Sequence, residues 1–372
     1  MRSQTEEFSL ARIFPSFFRL KKVAAGSSNK HKFIYLNGFI FSKKNNINTN
    51  MSNEFNPIAV TVITGFLGAG KTSLLNQIIS QHPNTRFAII ENEFGEIGID
   101  NDLVIGAEDG IFEMSNGCIC CSLSSELTSL LLKLYARREE FSHLLIETTG
   151  IADPSSVAAA FITEPKIQDY FRLDAILCMV DSKHIENNLI AEKETARQIG
   201  FADVLIFNKK DLVSTQDLER VQTYVKNINP TAKVLSATEG QVDTTPLLQL
   251  DAFDPSIVEK NFEHIHHNHD HQHGHITSQS YTFEQDFDLL KFRHFVQVLL
   301  MFQNMRIYRM KGILRFADQD HRIIFQSVQQ QTVFRKGSKW QEGEKKESRL
   351  VVIGNGLNRK MFDKKLRECL VN

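Results

Sequence analysis

The chain has 372 residues, enough for one large domain and a smaller one. Its formal net charge of −1 at pH 7 excludes the general basic field that binders of nucleic acid or of membrane surfaces use. The sequence contains no run of about 18 or more apolar residues, which argues against a transmembrane helix, so we expect neither a nucleic acid nor a membrane as a partner.

Residues 1–50 differ from the rest of the chain. They carry nine Lys and Arg residues against two acidic residues, and no strand-turn-helix pattern organises them. One interpretation is an acid-poor organelle transit peptide. The other, which we favour because no amphipathic Arg face is sustained, is that Met51 is the true start. We therefore expect 1–56 to be an N-terminal extension, either disordered or upstream of the start of the protein.

The first globular pattern covers residues 57–246. An apolar, β-branched run at Ile58–Thr64 predicts a strand, and residues 72–81 predict the helix that follows it. A stretch of helical period at Ser124–Arg138 separates later apolar runs, which are Phe87–Ile90, Leu144–Ile146, Ala175–Val180, Val204–Phe207 and Val234–Leu235. This alternation predicts an α/β domain with a mostly parallel sheet that helices cover on both faces.

The loop between the first strand and helix fits G-x-x-x-x-G-K-[ST] at every fixed position. In such a phosphate loop, main-chain N–H groups surround the β- and γ-phosphates, and glycines allow that close approach. Lys71 supplies the positive charge and Thr72 the hydroxyl that ligates Mg²⁺. The strand-loop-helix context predicts a site for a nucleoside triphosphate, whose remaining residues are Gly65, Gly68, Ala69, Gly70 and Ser73.

The strand at Leu144–Ile146 leads into Glu147-Thr148-Thr149-Gly150. An acid at the end of a buried strand can reach Mg²⁺ or its water, and a glycine there is free to turn toward the γ-phosphate. We therefore predict that Lys71, Thr72 and Glu147 are the catalytic residues, with Gly150 in contact with the nucleotide.

The base is expected to contact Asn208-Lys209-Lys210-Asp211, directly after the strand at Val204–Phe207. A carboxylate can accept hydrogen bonds from N1–H and the exocyclic amine of guanine, whereas adenine offers no such pair. Ser236-Ala237 follows another short strand and could present a main-chain N–H to guanine O6. The predicted nucleotide is thus GTP rather than ATP, bound in part by Asn208, Lys209, Asp211, Ser236 and Ala237.

Three of the five cysteines lie within four positions, at Cys118, Cys120 and Cys121, which is unlike a disulfide framework and fits a reducing cytoplasm. Thiolates bind Zn²⁺ well, but adjacent residues diverge in direction, so other ligands would have to complete the site. Candidates lie in Glu91-Asn92-Glu93-Phe94-Gly95-Glu96, after the strand at Phe87–Ile90. A redox pair remains the alternative for the thiols.

Seven histidines fall within the twelve residues His264–His275, inside a segment at 247–280 where the regular pattern dissolves. Such composition is typical of metal binding, but a flexible polar linker that binds metal adventitiously explains it equally well. A second pattern, at 281–372, predicts a smaller α+β domain with a helix over Phe287–Phe302 and strands over Arg306–Phe316, Arg322–Val333 and Arg349–Ile353, closed by a helix at Asn358–Leu370.

These motifs together resemble the CobW family of metal-trafficking GTPases. The likeness covers about 57–370 and is carried by the phosphate loop, Glu91–Gly95, Gly117–Cys121, Glu147–Pro154 and Arg309-Met310-Lys311-Gly312. It implies a GTPase whose Cys-x-Cys-Cys motif binds Zn²⁺ together with acids equivalent to Glu91 and Glu96. It also implies a C-terminal domain that helps dock a client. One departure is Gln326-Ser327-Val328 in place of Gln-Gly-Val, which affects an expected backbone turn.

The function that we expect is a slow GTPase that delivers zinc to a client metalloprotein, with a homodimer left open. Two alternatives differ in class. One is a zinc storage or buffering protein in which hydrolysis is vestigial. The other is a maturation factor for a cobalt or iron enzyme, including cobalamin synthesis, because the affinity order of divalent metals does not decide which metal is loaded in the cell.

Overall fold

The computed structural model describes residues 56–91, 112–113, 123–238, 241–263, 271–273, 276–303, 306–328 and 330–371, together with the short strands β1 (Ile34–Leu36) and β2 (Phe39–Phe41). β1 and β2 pair antiparallel within a unit formed by Met1–Phe55. A second compact unit, Asn56–Asn372, contains all the other elements.

Seven strands of the second unit are β3 Ile58–Gly65, β4 Phe87–Glu91, β5 Phe112–Glu113, β6 His143–Glu147, β7 Phe171–Asp181, β8 Val204–Asn208 and β9 Lys233–Ser236. They form one sheet in the order β5-β4-β6-β3-β7-β8-β9, and every neighbouring pair is parallel. Every residue of the central strand β3 is buried, as its apolar, β-branched sequence requires. The predicted parallel α/β domain is confirmed.

The helices of this parallel-sheet domain are α1 Lys71–Gln81, α2 Leu123–Tyr135, α3 Pro154–Thr163, α4 Pro165–Gln168, α5 Ile185–Ala191, α6 Lys193–Phe201 and α7 Thr215–Ile228. Among those whose first turn and preceding residue the structure describes, side chains cap two. At the start of α3, Asp153 accepts a hydrogen bond from the Ser155 N–H, and at the start of α7, Ser214 accepts one from the Asp217 N–H. These caps fix where the two helices begin.

The C-terminal part is built on a second sheet, with β10 His271–His273, β11 Ile276–Phe283, β12 Ile307–Leu314, β13 His321–Val328, β14 Gln331–Lys339 and β15 Ser348–Asn355. The strands lie in the order β10-β11-β15-β12-β13-β14 and all pairs are antiparallel. Its helices are α8 Pro255–Glu263, α9 Leu289–Gln303 and α10 Arg359–Glu368. The predicted smaller domain of strands and helices is thus confirmed, and we call its sheet the C-terminal sheet.

The two faces of the C-terminal sheet are buried in different ways. One face packs with α9 and α10 in an aromatic core built around Phe287, Phe292 and Phe325. The other face contacts α6 and α7 of the parallel-sheet domain, and Tyr308 and Ile353 join that domain's core. The second face therefore ties the two sheets into one unit.

Buried charges cross that contact. Asp203, just before β8, binds Arg309 Nη2 at 3.0 Å and Lys311 Nζ at 2.7 Å, and all three side chains are buried. Burial alone would raise the pKa of Asp203, but the two cations outweigh it and hold that pKa below its ordinary value. Arg309-Met310-Lys311-Gly312, which carries part of the family likeness, lies on β12. Through Arg309 and Lys311 this strand joins the C-terminal sheet to the parallel-sheet domain.

Three expectations for the C-terminal part need correction. The segment 247–280 contains α8, which ends before the histidine run; its Val258 and Phe262 are buried in the core because a spacing of four puts them on one helix face. The single strand expected at 322–333 is a pair of antiparallel strands, β13 and β14. Gln326-Ser327-Val328 is part of β13 and not a turn, and the Ser327 hydroxyl accepts a hydrogen bond from the Met310 N–H at 2.9 Å.

Within the described ranges, no helix combines the length and the apolar composition that a bilayer crossing demands.

Candidate functional site

The phosphate loop joins β3 to α1, and all three of its glycines have conformations that other residues rarely adopt. Gly65 has φ +140°, and a Cβ there would lie 2.4 Å from the carbonyl oxygen of Met179. Gly70 has φ +103°, and its Cβ would lie 2.4 Å from Asn208 Nδ2. Only glycine fits at these positions. Because α1 begins at Lys71 without a side-chain cap, the main-chain N–H groups of its first turn suit an anion.

The other loop residues fall into a buried and an exposed set. Ala69 is fully buried, and its carbonyl oxygen accepts a hydrogen bond from Asn208 Nδ2 at 3.0 Å. Gly68, with φ +71°, and Ser73, on the first turn of α1, are exposed. The buried set anchors the loop to the end of β8, while the exposed set lines the side from which a nucleotide would approach.

Lys71 is the only lysine of the loop and helix α1, and it is buried. Its Nζ donates to the carbonyl oxygen of Phe66 at 3.5 Å, and burial lowers the pKa of its ammonium, a shift that Glu147 partly offsets. One long hydrogen bond to a carbonyl oxygen offsets little of the free-energy cost of burying an ammonium group. An anionic phosphate would restore the charge stabilisation that burial removes.

Two oxygen ligands meet at the start of α1 and the end of β6. The Thr72 hydroxyl donates to Glu147 Oε1 at 3.0 Å. A hydroxyl and a carboxylate are the hard donors that Mg²⁺ prefers, so this pair fits the ion. Glu147 is also the register partner of Glu91 on the neighbouring parallel strand β4. The carboxyl ends of two adjacent strands therefore bring Glu91, a predicted zinc ligand, beside Glu147, a predicted nucleotide residue.

The turn after β6 lies directly against the phosphate loop. A Cβ on Gly150 would stand 2.6 Å from the main-chain nitrogen and Cα of Leu67, so the two backbones are in contact there. Thr148 fixes the start of the turn, since its N–H donates to the carbonyl oxygen of Ile63 at 2.9 Å. Gln198 on α6 donates to the carbonyl oxygens of Gly150, at 3.0 Å, and Ala152, at 3.2 Å.

The base-binding motif follows β8. Asn208 is buried against the phosphate loop, and Lys209 adopts a left-handed conformation with φ 58°. The Lys209 Nζ donates to Asp181 Oδ2 at 2.7 Å. Asp211 is exposed on the short 3₁₀ helix Lys210–Leu212, where its carboxylate is open to a ligand.

Asp181 ends β7 and belongs to none of the motifs. Burial alone would raise its pKa, but hydrogen bonds from Lys209 and His184 hold the pKa below its ordinary value. Asp181 is therefore an anion, and its carboxylate fixes the position of the Lys209 side chain. The sequence carried a signal for it, since Asp181 ends a buried apolar strand as Glu147 does. Gln198 lies in no motif. The only signal that the sequence offers for it is its position on the apolar face of α6.

Ser236 and Ala237 close the base side of the site. The Ala237 N–H donates to the carbonyl oxygen of Phe207 at 2.7 Å, so in this structure it is used within the protein. The Ser236 hydroxyl is exposed and accepts from Gln222 Nε2 at 3.0 Å. A main-chain contact from Ala237 to guanine O6 would require this hydrogen bond to be shared or exchanged.

The predicted thiol ligands Cys118, Cys120 and Cys121, the acid Glu96 and most of the histidine run lie outside the described residues. Within the part of the chain that the structure describes, no group of three or more His, Cys, Asp or Glu side chains could hold a metal ion. Cys178 and Cys369 are buried thiols, and burial raises the pKa of Cys178 to about 12. Neither is a reactive thiolate.

Two family models match the chain. The nucleotide-binding domain shared by CobW, HypB and UreG matches residues 59–236, and the C-terminal domain of the cobalamin synthesis protein CobW matches residues 276–370. The first model spans the parallel strands and the motifs of the nucleotide site up to Ser236, and the second spans β11 to β15 with α9 and α10.

Similar proteins carry related names. The zinc chaperone YjiA of Escherichia coli is 32% identical over 306 residues, which are 80% of this chain and 94% of that protein. The zinc-regulated GTPase metalloprotein activator 1 of Schizosaccharomyces pombe is 38% identical over 205 residues, or 53% of this chain and 50% of that protein. The crystal structure of Zn(II)-bound YjiA GTPase covers 85% of this chain and 100% of its own, with a TM-score of 0.66 and 26% identity.

Proposed function

The chain belongs to the CobW/HypB/UreG family of GTPases, and we propose that it is a GTP-hydrolysing zinc metallochaperone that delivers its metal to a client metalloprotein. Support comes from the names of two relatives, a zinc chaperone and a zinc-regulated metalloprotein activator. In this proposal the metal is bound by Cys118, Cys120 and Cys121 with help from Glu91 and Glu96. Thiolates must stay reduced for that role, so we expect the protein to act in the cytoplasm.

In the proposed nucleotide complex, Lys71 and the N–H groups of the phosphate loop hold the β- and γ-phosphates. Thr72 and Glu147 hold Mg²⁺ and its water, and the ion neutralises the charge that develops on the transferred phosphoryl group. Gly150 faces the γ-phosphate, and Asp211 accepts from the guanine N–H groups. The remaining contacts are assigned to Gly65, Gly68, Ala69, Gly70, Ser73, Asn208, Lys209, Ser236 and Ala237.

One observation supports a coupling of metal to nucleotide most directly. Glu91 and Glu147 are register partners on adjacent parallel strands, and neighbouring strands lie about 4.8 Å apart. Glu147 also accepts from the Thr72 hydroxyl at the start of α1. A residue proposed to bind zinc thus lies one strand away from a residue proposed to serve Mg²⁺ and GTP, so a change at one carboxylate alters the electrostatic field at the other.

If the two sites are coupled, GTP must change the zinc affinity, and zinc must change the GTP affinity by the same factor. Couplings of this kind are about 1–3 kcal/mol, or roughly 5–150-fold, which titrations resolve. The sign of the coupling determines whether hydrolysis releases the metal or retains it, and only release on hydrolysis suits delivery to a client.

The test is a set of zinc titrations of the untagged protein with a non-hydrolysable GTP analogue and with GDP. We expect a difference of roughly 5-fold or more in wild type. Cys120→Ala should lower the zinc affinity and remove the difference while GTP still binds. Cys369→Ser is the matched control, because its thiol is buried in the C-terminal domain and donates to the carbonyl oxygen of Lys365. Equal zinc affinities in the two nucleotide states of wild type would contradict the proposal.

A storage protein predicts a different result in a second assay. If the protein only buffers zinc, transfer to an apo-metalloprotein should proceed at the same rate with GDP, with GTP and with the analogue. A chaperone that uses hydrolysis should transfer zinc faster with GTP than with the analogue.

A further inference from the structure

Gln198 is a buried amide on α6 that none of the nucleotide motifs contains. The residue is 1% exposed, and burying an amide nitrogen is costly unless it donates hydrogen bonds. The Nε2 atom donates to two main-chain carbonyl oxygens, of Gly150 at 3.0 Å and of Ala152 at 3.2 Å. One side chain thus holds both ends of a short turn that α6 itself does not belong to.

That turn directly follows Glu147, the acid at the end of β6. The Ala152 N–H donates to the carbonyl oxygen of Thr149 at 3.0 Å, which closes the turn. Gly150 lies so close to Leu67 that a Cβ would stand 2.6 Å from its main-chain nitrogen. Gly150, Ile151 and Ala152 carry no polar side chain, so the hydrogen bonds that hold them against the phosphate loop are those of their main chain.

On its other side α6 packs against the C-terminal sheet. A Cβ on Gly200 would stand 3.3 Å from both Tyr308 and Ile353, which shows how closely the helix approaches β12 and β15. Arg197, beside Gln198, binds Asp153 at 3.4 Å, and its guanidinium lies 5.8 Å from the centre of the Tyr308 ring. The helix therefore lies between the turn and the C-terminal sheet and contacts both.

We propose that Gln198 is a positioning residue for GTP hydrolysis, which holds the Gly150–Ala152 turn against the phosphate loop, with α6 braced by the C-terminal sheet. The inference rests on the proposed function, since the reaction that it serves is hydrolysis of GTP. Gln198 does not touch the nucleotide. It acts through the main chain of Gly150, the group proposed to face the γ-phosphate.

The competing explanation is that Gln198 only satisfies buried carbonyl groups and stabilises the fold. Asn229 offers a matched comparison, because it is equally buried and its Nδ2 donates to the carbonyl oxygens of Ile199 at 2.8 Å and Ala202 at 2.9 Å. These carbonyls belong to the last turn of α6 and to its C-cap, not to the Gly150–Ala152 turn. Both amides thus brace the same helix, but only Gln198 contacts the turn.

The experiment compares Gln198→Met, which keeps the side-chain length but removes the donor, with Asn229→Leu, which removes the donor to the carbonyls at the C-terminal end of α6. Thr195→Val is a second control, because its hydroxyl is buried on α6 and has no hydrogen-bond partner among the described residues, the turn included. The measurements are kcat and KM for GTP, GDP affinity and Tm, with metal conditions held constant. Gln198→Asn, which shortens the side chain by one methylene, is the milder variant if Gln198→Met does not fold.

For Gln198→Met we expect kcat to fall by about 10- to 100-fold, the range for a small misplacement of groups at a reaction centre. GDP affinity should stay unchanged, because GDP lacks the γ-phosphate that the turn faces. Asn229→Leu should lower Tm at least as much and leave kcat unchanged. A Gln198 variant that keeps wild-type kcat, or loses kcat only in parallel with GDP affinity and Tm, would overturn the positioning role. A wild-type protein that hydrolyses no GTP would instead refute the proposed function.

Discussion

The two ends of the parallel sheet are both rich in polar side chains, but they use them differently. At the amino ends of the strands, Thr61, His143 and Asp174 are buried together, with Thr61 Oγ1 2.8 Å from His143 Nε2 and 3.5 Å from Asp174 Oδ2. Asp174 also accepts main-chain N–H groups of Leu250 and Asp251. At this end the protein supplies the partners of its own polar groups.

At the carboxyl ends the polar groups lie beside a glycine-rich loop and are partly exposed. Asp211 and Thr72 are exposed, and Lys71 is buried with a single long contact to a carbonyl oxygen. The comparison separates two kinds of polar residue in one sheet. Substitutions at the amino ends should change stability and leave ligand affinity intact, while those at the carboxyl ends should do the reverse.

The largest effect is expected from Asp203→Ala at the amino end of β8. The substitution leaves Arg309 and Lys311 buried without their carboxylate, and breaking a buried pair in this way costs about 3–5 kcal/mol. Denaturant unfolding should show that loss, whereas GTP affinity measured on the folded fraction should be unchanged.

The control is Asp217→Ala, which removes an exposed carboxylate that binds Arg220 and the Ser214 hydroxyl and should change stability far less. If Asp203→Ala were as mild as this control, the buried triad would not be what joins the C-terminal sheet to the parallel-sheet domain.

Lys71→Ala should show the opposite pattern at the carboxyl ends. Loss of the charged contact to the phosphates should weaken GTP binding by about 100-fold, or about 3 kcal/mol. Tm should not fall, because burial lowers the pKa of Lys71 and the ammonium is desolvated without a ligand. Lys193→Ala, an exposed lysine of α6, serves as the control. Unchanged GTP affinity in folded Lys71→Ala would show that the phosphate loop does not bind GTP.

The sequence predicted the carboxyl ends better than the amino ends, for a physical reason. A phosphate loop is a local motif, because its glycines and lysine must lie within eight residues to surround one anion. The partners of Asp203 lie more than a hundred positions away in β12, so spacing gives no sign of the pair. For the same reason Gln198 was missed, since its two carbonyl partners have no side-chain signature.

A smaller, pH-dependent effect is expected from the buried group at the amino ends. Burial lowers the pKa of His143 to about 4, so the folded state binds its proton less tightly than the unfolded state, and stability from this group is lost as pH falls from about 6.5 to 4. Burial raises the pKa of Asp174 to about 6, so the folded state binds that proton more tightly, and its contribution is lost as pH rises from about 4 to 6.

The two dependences oppose each other in wild type. In Asp174→Asn only the pH dependence that comes from His143 remains. When the pH is lowered from 6.5 to 4, the free energy of unfolding should therefore drop by about 2 kcal/mol more than in wild type. In His143→Gln the slope should reverse, with stability falling as pH rises through the same range. Urea titrations at several pH values measure both slopes. If plots of unfolding free energy against pH were parallel for the three proteins, His143 and Asp174 would have the same pKa in the folded and unfolded states.

The smallest effect expected is a change of base preference without a change of stability. Asp211 is exposed on a short 3₁₀ helix, so Asp211→Asn should leave Tm unchanged. It replaces an acceptor for the guanine N1–H and amine with an amide that can also donate, which should weaken GTP binding by about 10-fold. Xanthine carries a carbonyl oxygen in place of the guanine amine, and that oxygen can accept from the new amide. The variant should therefore bind xanthosine triphosphate more tightly than wild type does.

Competition of GTP, ATP and xanthosine triphosphate for one fluorescent nucleotide measures the three affinities together. A variant that keeps its preference for GTP over xanthosine triphosphate would show that Asp211 does not contact the base.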